Sequence, residues 1–147
     1  MPEKKTIAAA RRDKAEGKSP STQAGEFVHE EIEHIREGKH GARSAKQAIA
    51  IGLSKARRAG VKLPVPKKGT TSERVRKRAA QDNAKGAQKK KPSARRARAS
   101  LAKLKREGSS AASSTALSRQ AHRTARRRTA AQRSAAARKA ARTRARG

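Results

Sequence analysis

The chain has 147 residues, and 41 Lys and Arg against 11 Asp and Glu give it a formal charge of +30. Its 48 nominally hydrophobic residues comprise 32 Ala, one Met and only 15 Val, Ile, Leu or Phe, a composition that argues against a full core and predicts disorder in isolation. Without cysteine there is no disulfide scaffold, thiolate metal site or thiol chemistry, and no run of 18 apolar residues predicts a membrane span.

Charge and apolar content segregate in opposite directions. Residues 1–66 carry 14 basic and 8 acidic side chains, whereas residues 67–147 carry 27 and 3. The latter stretch holds Val75, Leu101, Leu104 and Leu117 as its only large apolar residues. This predicts three parts: a basic N-terminal segment (1–18), a helical hairpin module (19–66) and a cationic low-complexity tail (67–147). The fold class expected is all-α, a small helical hairpin followed by a long, largely disordered basic tail with helix-forming segments.

In chain order, Met1-Pro2-Glu3-Lys4-Lys5 has no apolar run behind it, so no secretory leader is expected and the location expected is cytoplasmic. A short basic helix is expected around Ile7–Arg12, stopped by Gly17. Ser19-Pro20 reads as N-cap and first helical residue of a helix ending at Gly38. On a wheel of 100° per residue, Val28, Ile32 and Ile35 share one side of it. Glu26, Glu30, Glu33 and Glu37 share the opposite one, read as a solvated acidic face that either docks the tail or repels DNA.

Gly38–Arg43 is a short connection suited to a helical hairpin. Ser44-x-x-Gln47 reads as a capping box, and Gly60 with Pro64 and Pro66 closes the helix it opens. The predicted hairpin core is Phe27, Val28, Ile32, Ile35, Ala48, Ile49, Gly52, Leu53 and Ala56, with Val61 and Leu63 folding back over it. Two helices bury little, so the hairpin calls for further cover. Homodimerisation into a four-helix bundle, or packing of tail helices, would provide it.

Lys67–Thr71 reads as a linker, Thr70-x-x-Glu73 as a second capping box, and residues 73–84 and 93–106 as helix-compatible segments. Ser109–Ser114 reads as a flexible joint. Residues 115–146 are almost all Ala, Arg, Ser and Thr. Like charges repel at i,i+3 and i,i+4 and no apolar stripe rewards folding, so this tail is expected to gain helicity only against a polyanion.

Such a surplus of cations points to sequence-independent binding and condensation of nucleic acid, each phosphate contact releasing counterions. The candidate contacts are Lys67, Lys68, Arg74, Arg76, Lys77, Arg78, Lys89, Lys90 and Lys91, then Arg95, Arg96, Arg98, Lys103, Lys105 and Arg106. In the last third they are Arg119, Arg123, Arg126, Arg127, Arg128, Arg133, Arg138, Lys139, Arg142, Arg144 and Arg146. With Phe27 the single aromatic residue, stacking on unpaired bases has little support, which favours duplex DNA or structured RNA over a single-strand binder; of the two, DNA is the partner expected ahead of RNA. A nucleoid location follows. The alternatives are a ribosome- or RNA-associated factor and a protein-interaction adaptor acting through the hairpin.

Catalysis is not expected, because the scattered Ser and Thr lack a His/Asp arrangement or a phosphate-cradling glycine loop. His29–His34 resembles metal motifs, and Glu31-x-x-His34 has the spacing of a di-metal carboxylate helix. That chemistry takes a second such helix, and residues 45–59 contain neither carboxylate nor His. No metal and no cofactor are therefore expected.

The stretch Ser44–Gly60 resembles the repeated core of a small, basic bacterial domain family of uncharacterised function, over residues about 20–69. The resemblance implies a bacterial source and supplies no activity. The Ala/Lys/Arg composition of residues 67–147 is similar to linker-histone tails and bacterial histone-like proteins, although no winged-helix domain accompanies it.

Overall fold

The structure is a computed structural model that describes residues 1–89 and 91–147. Local signals set its first three helices. α1 (Lys4–Ala15) ends ahead of Gly17, whose φ of +74° reverses the chain. α2 (Pro20–Arg36) starts where Ser19 Oγ accepts the Thr22 N–H and Pro20 occupies the first turn. It stops at Gly38, φ +76°. α3 (Ala45–Arg58) is capped by Ser44 Oγ on the Gln47 N–H at 3.1 Å. The Gln47 side chain reaches back one residue further than a capping box requires, to the Arg43 N–H at 2.7 Å.

α2 and α3 form the expected antiparallel pair, but the pair does not stand alone. α1 lies along α2 and buries Thr6, Ala10 and Asp13, an i, i+4, i+7 row. α4 (Glu73–Ala87) packs on α3 through Ala79, Asp82 and Gly86, again one face. Gly86 lies directly over the Arg57 carbonyl, where a Cβ would collide with backbone. Asp82 is 2 % exposed and is held by Ser54 Oγ at 2.7 Å and Arg58 Nε at 2.8 Å. The stretch between α3 and α4 is tied down by Asn83 on the Leu63 carbonyl, Arg76 on that of Pro66 and Arg57 on that of Pro64.

The core has two parts. One gathers Ala10, Ala24, Phe27, Ala56, Val61 and Leu63; the other gathers Ile32, Ile35, Ala42, Ala48, Ala111 and Ala112. Of the predicted hairpin core, Phe27, Ile32, Ile35, Ala48, Gly52 and Ala56 are buried, while Val28, Ile49 and Leu53 are half-buried. Alanine makes this possible. It adds little area per residue, but it lets helix backbones close until dispersion contacts are dense. Cover for the hairpin comes from α1, α4 and residues 110–112 of the same chain.

The largely disordered tail expected of residues 67–147 is corrected by the structure. Beyond α4 lie α5 (Ala94–Lys105), a 3₁₀ turn (Ser110–Ala112), α6 (Ser114–Arg127) and α7 (Ala130–Arg146). Three local terms offset the like-charge repulsion: high helix propensity of Ala and Arg, a hydroxyl cap at each of Ser72, Ser113 and Thr129, and a complete capping box between Thr129 and Gln132. The cap of α4 is thus Ser72, not Thr70. The joint at 109–114 is corrected as well. Ala111 and Ala112 are buried against α2 and α3, and Arg36 Nε donates to the Ala112 carbonyl at 3.0 Å. The end of α5 docks by backbone alone, the Gly41 N–H on the Leu104 carbonyl at 2.9 Å and the Ala42 N–H on that of Gly108 at 3.1 Å. α5, α6 and α7 bury no residue.

Candidate nucleic-acid interface

The helical tail turns a list of cations into faces. In α4, Arg74, Lys77 and Arg78 are exposed, Lys77 opposite the Ala79/Asp82/Gly86 face held by α3 and Arg78 at its border. Arg76 is the exception: it is half-buried, bound to Glu73 at 2.6 Å and to the Pro66 carbonyl at 2.9 Å, and belongs to the packing of α4. Lys67 and Lys68 flank the turn at Gly69 and are exposed, as are Lys89 and Lys91 between α4 and α5. Lys90 lies outside the described residues.

In α5, Arg95, Arg96, Arg98, Lys103 and Lys105, with Arg106 at its end, cover rather more than half the wheel, and Ala94, Ala97, Leu101 and Leu104 take the rest. In α6, Arg119, Arg123, Arg126 and Arg127 fall within about 100° of one another, and Arg128 follows as the C-cap. In α7, Arg138, Lys139, Arg142 and Arg146 form one face, and Arg133 and Arg144 a second one well away from it. Neighbours at i,i+4 stand about 6 Å apart along a helix axis, close to two phosphate steps of a duplex strand. Among the described residues, α5, α6 and α7 contain no ion pair, and the carboxylates of residues 67–147 that do pair, Glu73 and Asp82, serve Arg76 and Arg58.

The acidic side of α2, expected as a solvated face that docks the tail or repels DNA, is corrected at Glu30, which is 5 % exposed, while Glu26 and Glu33 are half-buried and Glu37 is exposed. Glu31, beside that stripe, is fully buried. The start of α1 covers Glu30, whose Oε1 accepts the Glu3 N–H at 2.8 Å. Lys55 from α3 pairs with Glu31 Oε1, and His40 Nε2 from the loop approaches Glu31 Oε2 at 3.1 Å. Glu33 and Glu37 pair with Arg36 and Lys39, close in sequence, and no ion pair joins these carboxylates to residues 67–147 among the described residues. A wheel reports which side of a helix is polar, not whether another segment buries it.

Charges beside the cluster respond to this packing. The hydrogen bond to His34, then that to Lys5, lowers the Glu3 carboxyl to about 2. Lys39 is held above its ordinary value by Glu37. Burial pulls the Arg57 guanidinium below its ordinary value, with Asp82 opposing. Its Nε has no hydrogen-bond partner, which marks Arg57 as a packing residue rather than a phosphate contact.

Residues 4–69 match a family of unknown function (DUF6496). The match takes in α1, α2, α3 and the turn at Gly69, so it begins earlier than the resemblance at 20–69 and includes the helix that covers Glu30. Neither a curated protein nor a solved structure matches the chain, and nothing in these comparisons bears on a histone-like tail. Among the described residues no helix is long and apolar enough to cross a membrane.

Proposed function

We propose that the chain binds nucleic acid without sequence selectivity, duplex DNA ahead of RNA, through the exposed cationic faces of α4, α5, α6 and α7, with the α1–α4 bundle as their support. One observation carries the reading. Of the 25 candidate cations described, all but Arg76 are exposed, and those of α5–α7 lie on helix faces with no carboxylate across from them. A surface so arranged gains by exchanging condensed counterions for its own side chains.

The structure alters the expected mechanism. Preformed helices present their charges in rows, so association does not begin with ordering of a coil. The two cationic faces of α7 suit bridging of neighbouring duplexes, which is how such a protein condenses DNA and why a nucleoid location fits. Phe27 is 1 % exposed, so the one aromatic ring is spent in the core and stacking on unpaired bases lacks a partner.

The test compares the full chain with a variant carrying Arg119→Gln, Arg123→Gln, Arg126→Gln and Arg127→Gln. Binding to a mixed-sequence duplex and to an RNA hairpin is followed across a salt series. Loss of up to four phosphate contacts lowers the log–log salt slope by about 3–4 on DNA. An unchanged slope, or no binding near physiological ionic strength, overturns the proposal. Equal or tighter binding to RNA moves the assignment to an RNA-associated factor.

A further inference from the structure

Sequence spacing brought Glu31 and His34 together on α2, but no second helix completes a metal set. The loop after α2 does. His40 folds back so that one ligand atom each of Glu31, His34 and His40 lies within 4.8 Å of the other two. The two imidazoles meet edge to face, centroids 6.2 Å apart and planes at 84°.

The hydrogen bonding around His40 is one-sided. Its Nδ1 stands 2.9 Å from the Gly41 carbonyl oxygen, which only accepts, so Nδ1 carries the proton. In the neutral ring Nε2 then presents a lone pair. It faces Glu31 Oε2 at 3.1 Å. That oxygen belongs to a fully buried carboxylate and has no hydrogen-bond partner. With the ring neutral, two acceptors stand side by side in a buried site, and either a proton on Nε2 or a metal ion bound by both relieves them. Two ligands on one tetrahedral zinc stand about 3.3 Å apart, each off the axis of the other, from metal–ligand lengths near 2.0–2.1 Å. An imidazole whose second nitrogen donates to a backbone carbonyl is the usual posture of a metal-ligating histidine.

We propose that Glu31, His34 and His40 form a site for a divalent transition metal of the zinc type. Two imidazoles and a carboxylate select zinc and its neighbours over magnesium or calcium, which favour all-oxygen sets. Glu3, Glu30 and Glu31 stand at this site against Lys55 and Lys39, and Lys105 also lines the cleft beside it. Lys55 occupies the other oxygen of Glu31, while Glu3 and Glu30 flank His34 Nε2 at 2.9 and 3.8 Å. An open cleft of about 790 Å³, lined in part by His34, His40 and Lys55, gives access and leaves room for water as a fourth ligand. The ion ties α2 to the loop at Gly41, the same loop on which the end of α5 docks. Its role is thus structural, holding the first cationic helix beyond the bundle.

The probe is Zn²⁺, with Co²⁺ for spectroscopy, added to the full chain after chelator treatment. The expected result is one ion per chain, visible d–d absorption of Co²⁺ and a raised melting temperature on loading. His34→Gln and His40→Gln each weaken binding at least about 100-fold. The exposed His29 and His122 serve as controls, and their Gln variants bind as the parent does. Side-chain ¹⁵N resonances in the unaltered chain answer the same question if a variant misfolds: His34 and His40 shift with Zn²⁺, His29 and His122 do not. Absence of stoichiometric uptake, or uptake that follows His29 and His122, overturns the proposal and leaves His40 as an ion-pair partner of Glu31.

Discussion

Gly25 and Gly52 are glycines within helices on the two sides of the α2–α3 pair, and the same substitution acts on them in opposite directions. At Gly52 an added Cβ falls 2.6 Å from Val28 Cα and 2.9 Å from both Val28 N and Val28 Cγ2. Carbon atoms rest about 3.5–4.0 Å apart, so the helices must separate by roughly 1 Å at the crossing. The obstacle includes backbone of α2, which no rotamer change moves. Overpacking of this kind costs about 1–3 kcal/mol, against which Ala returns up to about 1 kcal/mol of helix propensity. Gly52→Ala is therefore destabilising by about 1 kcal/mol. At Gly25 nothing lies within 4 Å and the residue is exposed, so Gly25→Ala stabilises by about 0.5–1 kcal/mol. Urea unfolding followed by circular dichroism measures both. If Gly52→Ala stabilises as much as Gly25→Ala, the close approach of α2 and α3 is refuted, and with it the account of an alanine- and glycine-built core.

Three further outcomes are expected. Asp82→Ala removes the buried acceptor of Ser54 and Arg58 and costs about 1.5–3 kcal/mol, with faster amide exchange in α4 than in α2, because the loss falls on the docking of α4. Ser44→Ala frees an amide at the start of α3 and costs about 1 kcal/mol by denaturant midpoint. Lys18 is held above its ordinary value of 10.5 by Asp13 and then Glu16. A raised folded-state value means that this pairing contributes in full below about pH 10.5 and fades only as pH climbs through the folded value. Asp13→Ala therefore loosens the α1–α2 junction equally at about pH 6 and about pH 9, read from exchange of the Lys18 amide, and an effect confined to one of them contradicts the pairing.

Helix starts and stops of the first 60 residues were legible because each is a local event. Ser19, Ser44, Gly17, Gly38 and Gly60 act within a turn of themselves, and a cap or a positive φ needs no distant partner. The charge surplus and its concentration after residue 66 were likewise plain, since net charge is additive along the chain. Partner choice and order of the tail were not local. Disorder was expected because large apolar residues are few. The helices are instead held by caps, by a glycine over the Arg57 carbonyl and by two alanines buried beneath Arg36, contacts whose worth depends on what lies across from them. Phe27 and Ile35 could be placed in a core from pattern alone. Glu31 could not, because a buried carboxylate is stable only with Lys55 and His40 brought to it from α3 and the loop. What the amino-acid order determined by itself was thus the helix limits of the first 60 residues and the sign of the surface. The tertiary structure decided which polar groups leave water, because desolvation is set by neighbours far off in the chain rather than by those beside a residue.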